Sequence, residues 1–145
     1  MQAGAVRAEV PTWVFRLVER ELYEYPISKQ AVADYERDRQ EILLASWHPE
    51  IPVDGGRLPD PTQRKATLLA LHHMTYLKRK RIVDAIESVM RTLPADDQNL
   101  VRIRYWDHPD WDVETVAREL VMSRSEFYRR RAHIVRLFAI RMGLV

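Results

Sequence analysis

Apolar residues recur every three or four positions along most of the chain, and no long stretch of Val, Ile or Thr alternates strictly with polar residues. The first spacing is that of a helix with one buried face, whereas strict alternation would indicate strands. The pattern therefore predicts an all-α protein.

Two helices are predicted before residue 48. The first runs from about Thr12 to Tyr25, with Trp13, Leu17 and Leu22 or Tyr23 on its buried side. It is expected to end before Pro26, because proline disfavours the α region for the residue that precedes it. The second helix is expected to begin with a cap at Ser28 and to extend to about Trp47.

Residues 48–61 hold four of the eight prolines and two of the four glycines, which predicts a linker. The sequence therefore divides into 1–60, an N-terminal helical region with its linker, and 61–145. Asp60, Pro61 and Gln63 are typical of a helix start. A helix of about 31 residues, roughly 46 Å long, is expected to follow as far as Thr92. It would brace both halves of the chain or pair with a second copy.

Two features stand out along this predicted helix. Its apolar stripe is expected to include Leu68, Leu71, Ile82, Ile86, Val89 and Leu93. Four cations, Lys78 to Arg81, lie within one turn and would either contact phosphates or pair with nearby Asp84 and Glu87. The sequence leaves both interpretations open.

The C-terminal part of the sequence predicts three short helices with clear end signals. Pro94 and the acidic residues after it suit the first turn of a helix that reaches about Trp106. Asp112 is expected to cap the next helix, and Ser123 with Glu126 forms the Ser-x-x-Glu pattern that opens the last one. Two helices joined by so tight a turn are typical of a helix-turn-helix.

The last helix presents basic and polar residues outward, and residues 112–145 carry seven Arg against four acidic residues. An α-helix fits the major groove of B-DNA, where Arg can make two hydrogen bonds to guanine. We interpret four residues as contacts to bases and nearby phosphates, namely Arg124, Ser125, Tyr128 and Arg129. Arg130 and Arg136 would contact mainly the DNA backbone. The alternative is a basic, solvated helix whose arginines only keep a bundle soluble.

Composition removes several other classes of protein. The chain of 145 residues has no Cys, which excludes disulfides, thiolate metal sites and a cysteine nucleophile. Its longest apolar runs have four residues, whereas a membrane span needs about 20. His72 and His73 are adjacent and point about 100° apart on a helix, so they do not share a metal-binding face. We expect no cofactor, no metal, no membrane contact and no enzymatic activity, and we expect a cytoplasmic location.

Several motifs together resemble those of the ArpU/RinA group of phage late-gene transcriptional regulators. They are Tyr25-Pro26, Asp60-Pro61-Thr62, the stretch 81–89, Leu93-Pro94, Arg104-Tyr105-Trp106 and the stretch 123–129. The resemblance covers most of the chain and is strongest from residue 81 onward, where the sequence also resembles region 4 of sigma factors. It implies a DNA-binding regulator encoded by a phage or prophage, acting in the host cytoplasm as an activator of late genes.

Two residues depart from this pattern. Val121 stands in the turn where Gly is usual, and a β-branched residue at positive φ is strained by about 1 to 2 kcal/mol. Arg131 lies on the apolar stripe of the last helix that is marked by Phe127, Ile134 and Phe138, at a position where Leu is commoner. It is expected to extend to solvent or to a phosphate.

Two other functions remain open at this point. One is a small terminase subunit, which marks phage DNA for packaging and also uses helix-turn-helix domains. The other is a module that binds host RNA polymerase, which the sigma-like C-terminal half and the acidic N-terminal part favour. The sequence also leaves a homodimer open.

Overall fold

The computed structural model describes residues 9–45 and 61–145, and every regular element in these ranges is helical. The helices are α1 (Thr12–Ala45), α2 (Pro61–Thr92), α3 (Ala95–Val101), α4 (Val113–Glu119) and α5 (Arg124–Arg141). The prediction of an all-α protein is confirmed. Within the described ranges, no helix is long and apolar enough to cross a membrane.

Helix α1 runs through Pro26 without a break, so the predicted helix end before this residue is wrong. Proline lacks the N–H that would bond to the carbonyl of the residue four positions earlier, here Leu22. The Leu22 carbonyl oxygen instead accepts a hydrogen bond from Nε1 of Trp106 at 2.8 Å. A side chain thus replaces the missing backbone donor. Ser28, expected as the cap of a second helix, lies inside α1.

The described residues form two compact units. The first contains residues 9–26 and 82–145, and the second contains residues 27–45 and 61–81. The linker predicted over 48–61 and the cap predicted at Asp60 fall almost entirely outside the described residues. The division of the chain at residue 60 therefore stays a prediction.

The interior of the first unit is apolar and draws on all five helices. In α1 the buried residues are Val14, Val18, Leu22 and Tyr25, which follow one another at intervals of four, four and three. Trp13, predicted on the buried side of this helix, is 63% exposed, whereas Leu22 is buried as predicted. The remaining interior is formed by Val83, Ile86, Val89, Leu93, Leu100, Val101, Tyr105, Val116, Phe127, Ile134, Val135 and Phe138.

The helix predicted to end near Trp106 is α-helical in its first half and π-helical in its second half. Residues Arg102–Asp107 form a π-helical segment directly after α3, and the N–H of His108 bonds to the carbonyl of Ile103 at 3.0 Å. This segment places Tyr105 in the interior and Trp106 against α1. The π-helical winding was not predicted.

Arg131 does not extend to solvent, which corrects that part of the expectation for this residue. Its side chain is only 19% exposed. The guanidinium lies 5.0 to 5.8 Å from three aromatic ring centroids, those of Phe15, Phe127 and Tyr128. A cation over aromatic faces is attracted by their π electrons, so this arginine takes part in the packing of α5 on α1.

A carboxylate balances this partly buried cation. Glu19 Oε2 lies 3.9 Å from Nη1 of Arg131 and accepts a hydrogen bond of 2.7 Å from the phenol of Tyr105. Burial, and next the charge of Glu19, raise the pKa of the Tyr105 phenol, so that it stays a neutral donor. The three side chains join α1, the π-helical segment and α5.

In the second unit, α1 and α2 contact each other through aromatic and charged residues. The rings of Tyr35 and Tyr76 stack with centroids 4.3 Å apart, and the Tyr35 hydroxyl lies 2.9 Å from Nδ1 of His73. Glu36 accepts hydrogen bonds from Tyr76 at 2.6 Å and from Lys80 at 3.0 Å. These donors hold the pKa of the Glu36 carboxyl below its usual value, with the Tyr76 bond as the largest cause.

One prediction for α2 is wrong in this unit. Leu68 and Leu71, expected on the buried stripe, are each 55% exposed, whereas Ile86, Val89 and Leu93 are buried as predicted. Lys80 pairs with Glu36 of α1 and not with a carboxylate of its own helix.

Candidate nucleic-acid interface

The surface of interest is formed by α4, the turn after it and α5. Helix α4 begins as predicted, because the Asp112 side chain accepts a hydrogen bond of 2.8 Å from the backbone N–H of Thr115. Hydrogen bonds from Thr115 are the main cause that lowers the pKa of the Asp112 carboxyl. Val116 and Ala117 are the buried residues of this helix, and the small Ala117 allows a close approach to the rest of the unit.

The turn between α4 and α5 is closed by two backbone hydrogen bonds. The N–H of Met122 bonds to the carbonyl of Ala117 at 3.0 Å, and that of Val121 bonds to Arg118 at 3.1 Å. This is the Schellman pattern, in which the residue after the helix adopts a left-handed conformation. Val121 has φ 56° and is 91% exposed, so the strained conformation expected for this residue is present.

Helix α5 starts at the predicted cap. Ser123 Oγ accepts a hydrogen bond from the backbone N–H of Glu126 at 3.1 Å. Phe127 is fully buried and anchors the first turn, while Ile134 and Phe138 continue the buried side two and three turns later. This register leaves the opposite side of the helix free of interior contacts.

Four of the six predicted DNA-contact residues lie together on the exposed side of the first turns of α5. Arg124, Ser125, Tyr128 and Arg129 are all exposed. A hydrogen bond to the Tyr128 side chain is the largest cause that raises the pKa of the Arg124 guanidinium. Tyr128 also contacts Arg131 with its ring, so it holds a basic residue on each side.

Arg130 and Arg136 are in different surroundings. Arg130 is half-buried and lies 3.5 Å from Asp97 of α3 and 3.2 Å from Glu126, so its charge is already balanced within the unit. Arg136 is half-buried and contacts no carboxylate of the described residues. Arg130 therefore fastens α5 to α3, whereas the guanidinium of Arg136 is available to an external anion.

A cleft of about 640 Å³ lies beside this surface and was not predicted. Val10 and Phe15 form an apolar wall next to the acidic Glu9, and the α5 residues Arg129, His133 and Arg136 line the opposite wall. The spacing of these three α5 residues, four and then three positions, is a signal in the sequence that they share a face. Their position beside the start of α1 could not be predicted, because the sequence does not show which helix packs there.

The exposed side of α5 carries positive charge that is not balanced along the helix. The only acidic residue of α5 is Glu126, and it contacts Arg130. Among the described residues, no group of three or more His, Cys, Asp or Glu side chains could hold a metal ion. The arrangement is suited to bind an extended anion through several Arg side chains and to make hydrogen bonds through Ser125 and Tyr128.

Comparisons with family models, with curated proteins and with solved structures give no match for this chain. A function therefore has to be inferred from the geometry of α5 and its surroundings.

Proposed function

We propose that this chain is a sequence-specific DNA-binding transcription regulator that reads duplex DNA with α5. One observation carries the proposal. The capped helix α5 follows α4 after a tight turn, and its first turns expose Arg124, Ser125, Tyr128 and Arg129, while Glu126, the only acidic residue of α5, contacts Arg130. The resemblance to the ArpU/RinA group of phage late-gene regulators points in the same direction.

Physical reasons make this helix suited to the major groove. In helix-turn-helix proteins the first turns of the second helix contact base edges, while the first helix crosses the phosphate backbone. Arg129 lies one turn beyond Ser125, so both would face the same base pairs. A bidentate Arg contact to guanine contributes about 1 to 3 kcal/mol of discrimination against other bases.

The residues around the reading surface have separate roles in this proposal. Arg136, about two turns beyond Arg129 on the same side, would contact a phosphate and contribute affinity without sequence preference. Arg130 fastens α5 to α3 through Asp97 and so holds the helix in position. Arg131 holds α5 against α1 from the buried side.

The proposal is tested by selecting bound duplexes from a random pool at moderate salt with the full-length chain. Contacts to phosphates alone enrich no sequence, whereas contacts to base edges enrich a motif. We expect an enriched motif, and two half-sites about one helical turn apart would indicate that a dimer binds. DNA that is retained without enrichment would contradict sequence-specific reading.

The regulatory part of the proposal needs a second measurement. Transcription from a template that carries the enriched motif upstream of a promoter is compared with and without the protein. We expect a change in transcript level that disappears when the motif is scrambled. An unchanged level with host RNA polymerase present would contradict a regulator.

A further inference from the structure

The first two thirds of α2 contain both basic residues and exposed apolar residues. Between Pro61 and Val83 the sequence contains six Lys or Arg residues and no Asp or Glu. The same stretch exposes Leu68 and Leu71 by 55% each and Met74 by 66%. Single exposed apolar residues are ordinary on soluble proteins, but a group of them framed by one sign of charge marks an interaction site.

Six exposed residues form one stripe along this part of α2, and we call them the α2 docking face: Arg64, Thr67, Leu68, Leu71, Met74 and Lys78. Five of the six, all except Leu68, are separated along the chain by three, four, three and four residues. This is the spacing with which one helix packs along another in a coiled coil. The Thr67 hydroxyl donates to the carbonyl of Gln63 at 2.9 Å, so covering it would leave no hydrogen bond unmade.

The contacts of α1 in the second unit leave this face open. Helix α1 contacts α2 through His73, Tyr76 and Lys80. Lys80 lies about two and a half turns beyond Leu71, so the two side chains project from opposite sides of the helix. A partner could therefore cover the docking face while the contacts with α1 remain.

The charges argue against a second copy of this chain as the partner. In an antiparallel pair centred on Leu71, Lys78 of one copy would meet Arg64 of the other. In a parallel pair each cation would meet its own counterpart. Like charges at neighbouring positions are destabilising in both arrangements.

A lipid surface suits the face less well than a helix does. Helices that lie in a membrane interface use a broad apolar side that contains Trp, Phe or Leu, and their binding grows with the apolar area buried. The α2 docking face has three large apolar side chains and no aromatic residue. Leu71 and Met74, at a coiled-coil interval and with Leu68 beside them, match the narrow face of one helix instead.

We propose that the α2 docking face binds an acidic amphipathic helix of a partner protein. Leu68, Leu71 and Met74 pack against apolar residues of that helix, and Arg64 and Lys78 pair with Asp or Glu at the two ends of the contact. The observations concern the second unit and do not depend on DNA binding by α5. The chain would then join a partner protein at α2 to whatever α5 binds.

A synthetic peptide tests the proposal with the full-length chain. The peptide has about three heptads with Leu at a and d and Glu at e and g, so that its own charges prevent it from pairing with itself. Its binding is measured by fluorescence anisotropy, and a peptide with Lys in place of Glu serves as the charge control. We expect the acidic peptide to bind and the basic one not to bind.

Variants then locate the binding. We expect Leu71→Ser and Met74→Ser to weaken binding of the acidic peptide by about tenfold or more, because each removes a central contact. Leu77→Ser removes a side chain that is 46% exposed and lies outside the docking face, so affinity should stay unchanged. Circular dichroism and thermal unfolding confirm that the three variants fold alike.

Four results would overturn the proposal. The first is that the unaltered chain does not bind the acidic peptide. The second is that Leu77→Ser loses as much affinity for the peptide as Leu71→Ser does. The third is binding to phosphatidylglycerol vesicles, abolished by Leu71→Ser, in a chain that does not bind the peptide. The fourth is a dimer in sedimentation that Leu71→Ser converts to a monomer.

Discussion

The indole nitrogen of Trp106 donates a hydrogen bond of 2.8 Å to the carbonyl oxygen of Leu22. This is the carbonyl that Pro26 leaves without a backbone donor. The Trp106 ring also stacks on Tyr25, with centroids 4.7 Å apart. One side chain therefore satisfies the backbone of α1 and joins it to the π-helical segment.

Replacing Trp106 with Phe should remove the donor and keep an aromatic ring beside Tyr25. We expect Trp106→Phe to lower the free energy of unfolding by about 1 to 3 kcal/mol, because the Leu22 carbonyl is left unpaired. Urea unfolding followed by circular dichroism measures the change.

A double-mutant cycle with Pro26→Ala separates the hydrogen bond from the loss of ring area. Alanine at position 26 restores the backbone donor to the Leu22 carbonyl, so Trp106→Phe should cost less in that background. An equal cost in both backgrounds would mean that the hydrogen bond is not responsible.

The elements that the sequence predicted best depend on contacts between residues close together in the chain. The caps at Asp112 and Ser123 each bond to a backbone N–H three residues later, so the local pattern contains the whole interaction. The passage of α1 through Pro26 depends on Trp106, which lies 84 residues away from Leu22 along the chain. No local pattern contains that partner, and the prediction failed there.

The candidate interface likewise has features that the local sequence predicted and features that depend on contacts between distant residues. The exposed side of α5 followed from the spacing of Phe127, Ile134 and Phe138, which fixes the buried side of the helix. The ion pair of Arg130 with Asp97 and the position of Arg131 over Phe15 depend on how α3 and α1 pack against α5. These contacts could not be predicted, because helix spacing shows which side is buried and not what lies against it.

Val121 offers a test of backbone strain at the turn. We expect Val121→Gly to raise the free energy of unfolding by about 0.5 to 1 kcal/mol, because Gly adopts positive φ without strain and loses only part of that gain to entropy. Val121→Ala keeps the strain and removes an exposed side chain, so it should have little effect. Gly143 at the end of α5 has φ 75°, a conformation that glycine adopts without strain. Gly143→Val should therefore be destabilising, because valine is strained at positive φ. Thermal unfolding compares the three variants, and a destabilised Val121→Gly would refute this account.

Tyr105 should make stability depend on pH in the alkaline range. The pKa of its phenol is raised above the ordinary value of 10.0 by burial and by Glu19. Above about pH 10 the unfolded chain loses this proton while the folded chain keeps it, so stability falls as pH rises. Below that pH the contribution is fully present.

The variant Tyr105→Phe should be less stable at neutral pH, because it loses the hydrogen bond to Glu19. Its stability should also fall less steeply than that of the unaltered chain between about pH 9 and pH 11. Urea unfolding across this range measures both slopes. Equal slopes would show that the phenol of Tyr105 does not remain protonated in the folded chain.

Arg129 and Arg136 lie on the same exposed side of α5 and should affect DNA binding differently. We expect Arg129→Ala to weaken binding to the selected motif by about 1 to 3 kcal/mol and to relax the preference at one base pair. Arg136→Ala should weaken binding to all sequences alike and reduce the salt dependence by about one phosphate contact. Titrations on matched and scrambled duplexes at several salt concentrations distinguish these effects.

The control is Arg91→Ala, which removes the same charge from an exposed position in the last turn of α2. It should leave sequence preference unchanged and alter affinity less than Arg136→Ala, because a charge outside the interface acts only through the screened field of the protein. If Arg91→Ala and Arg129→Ala had the same effect, α5 would contribute only general charge. Base reading by its first turns would then be excluded, even though the chain retained DNA.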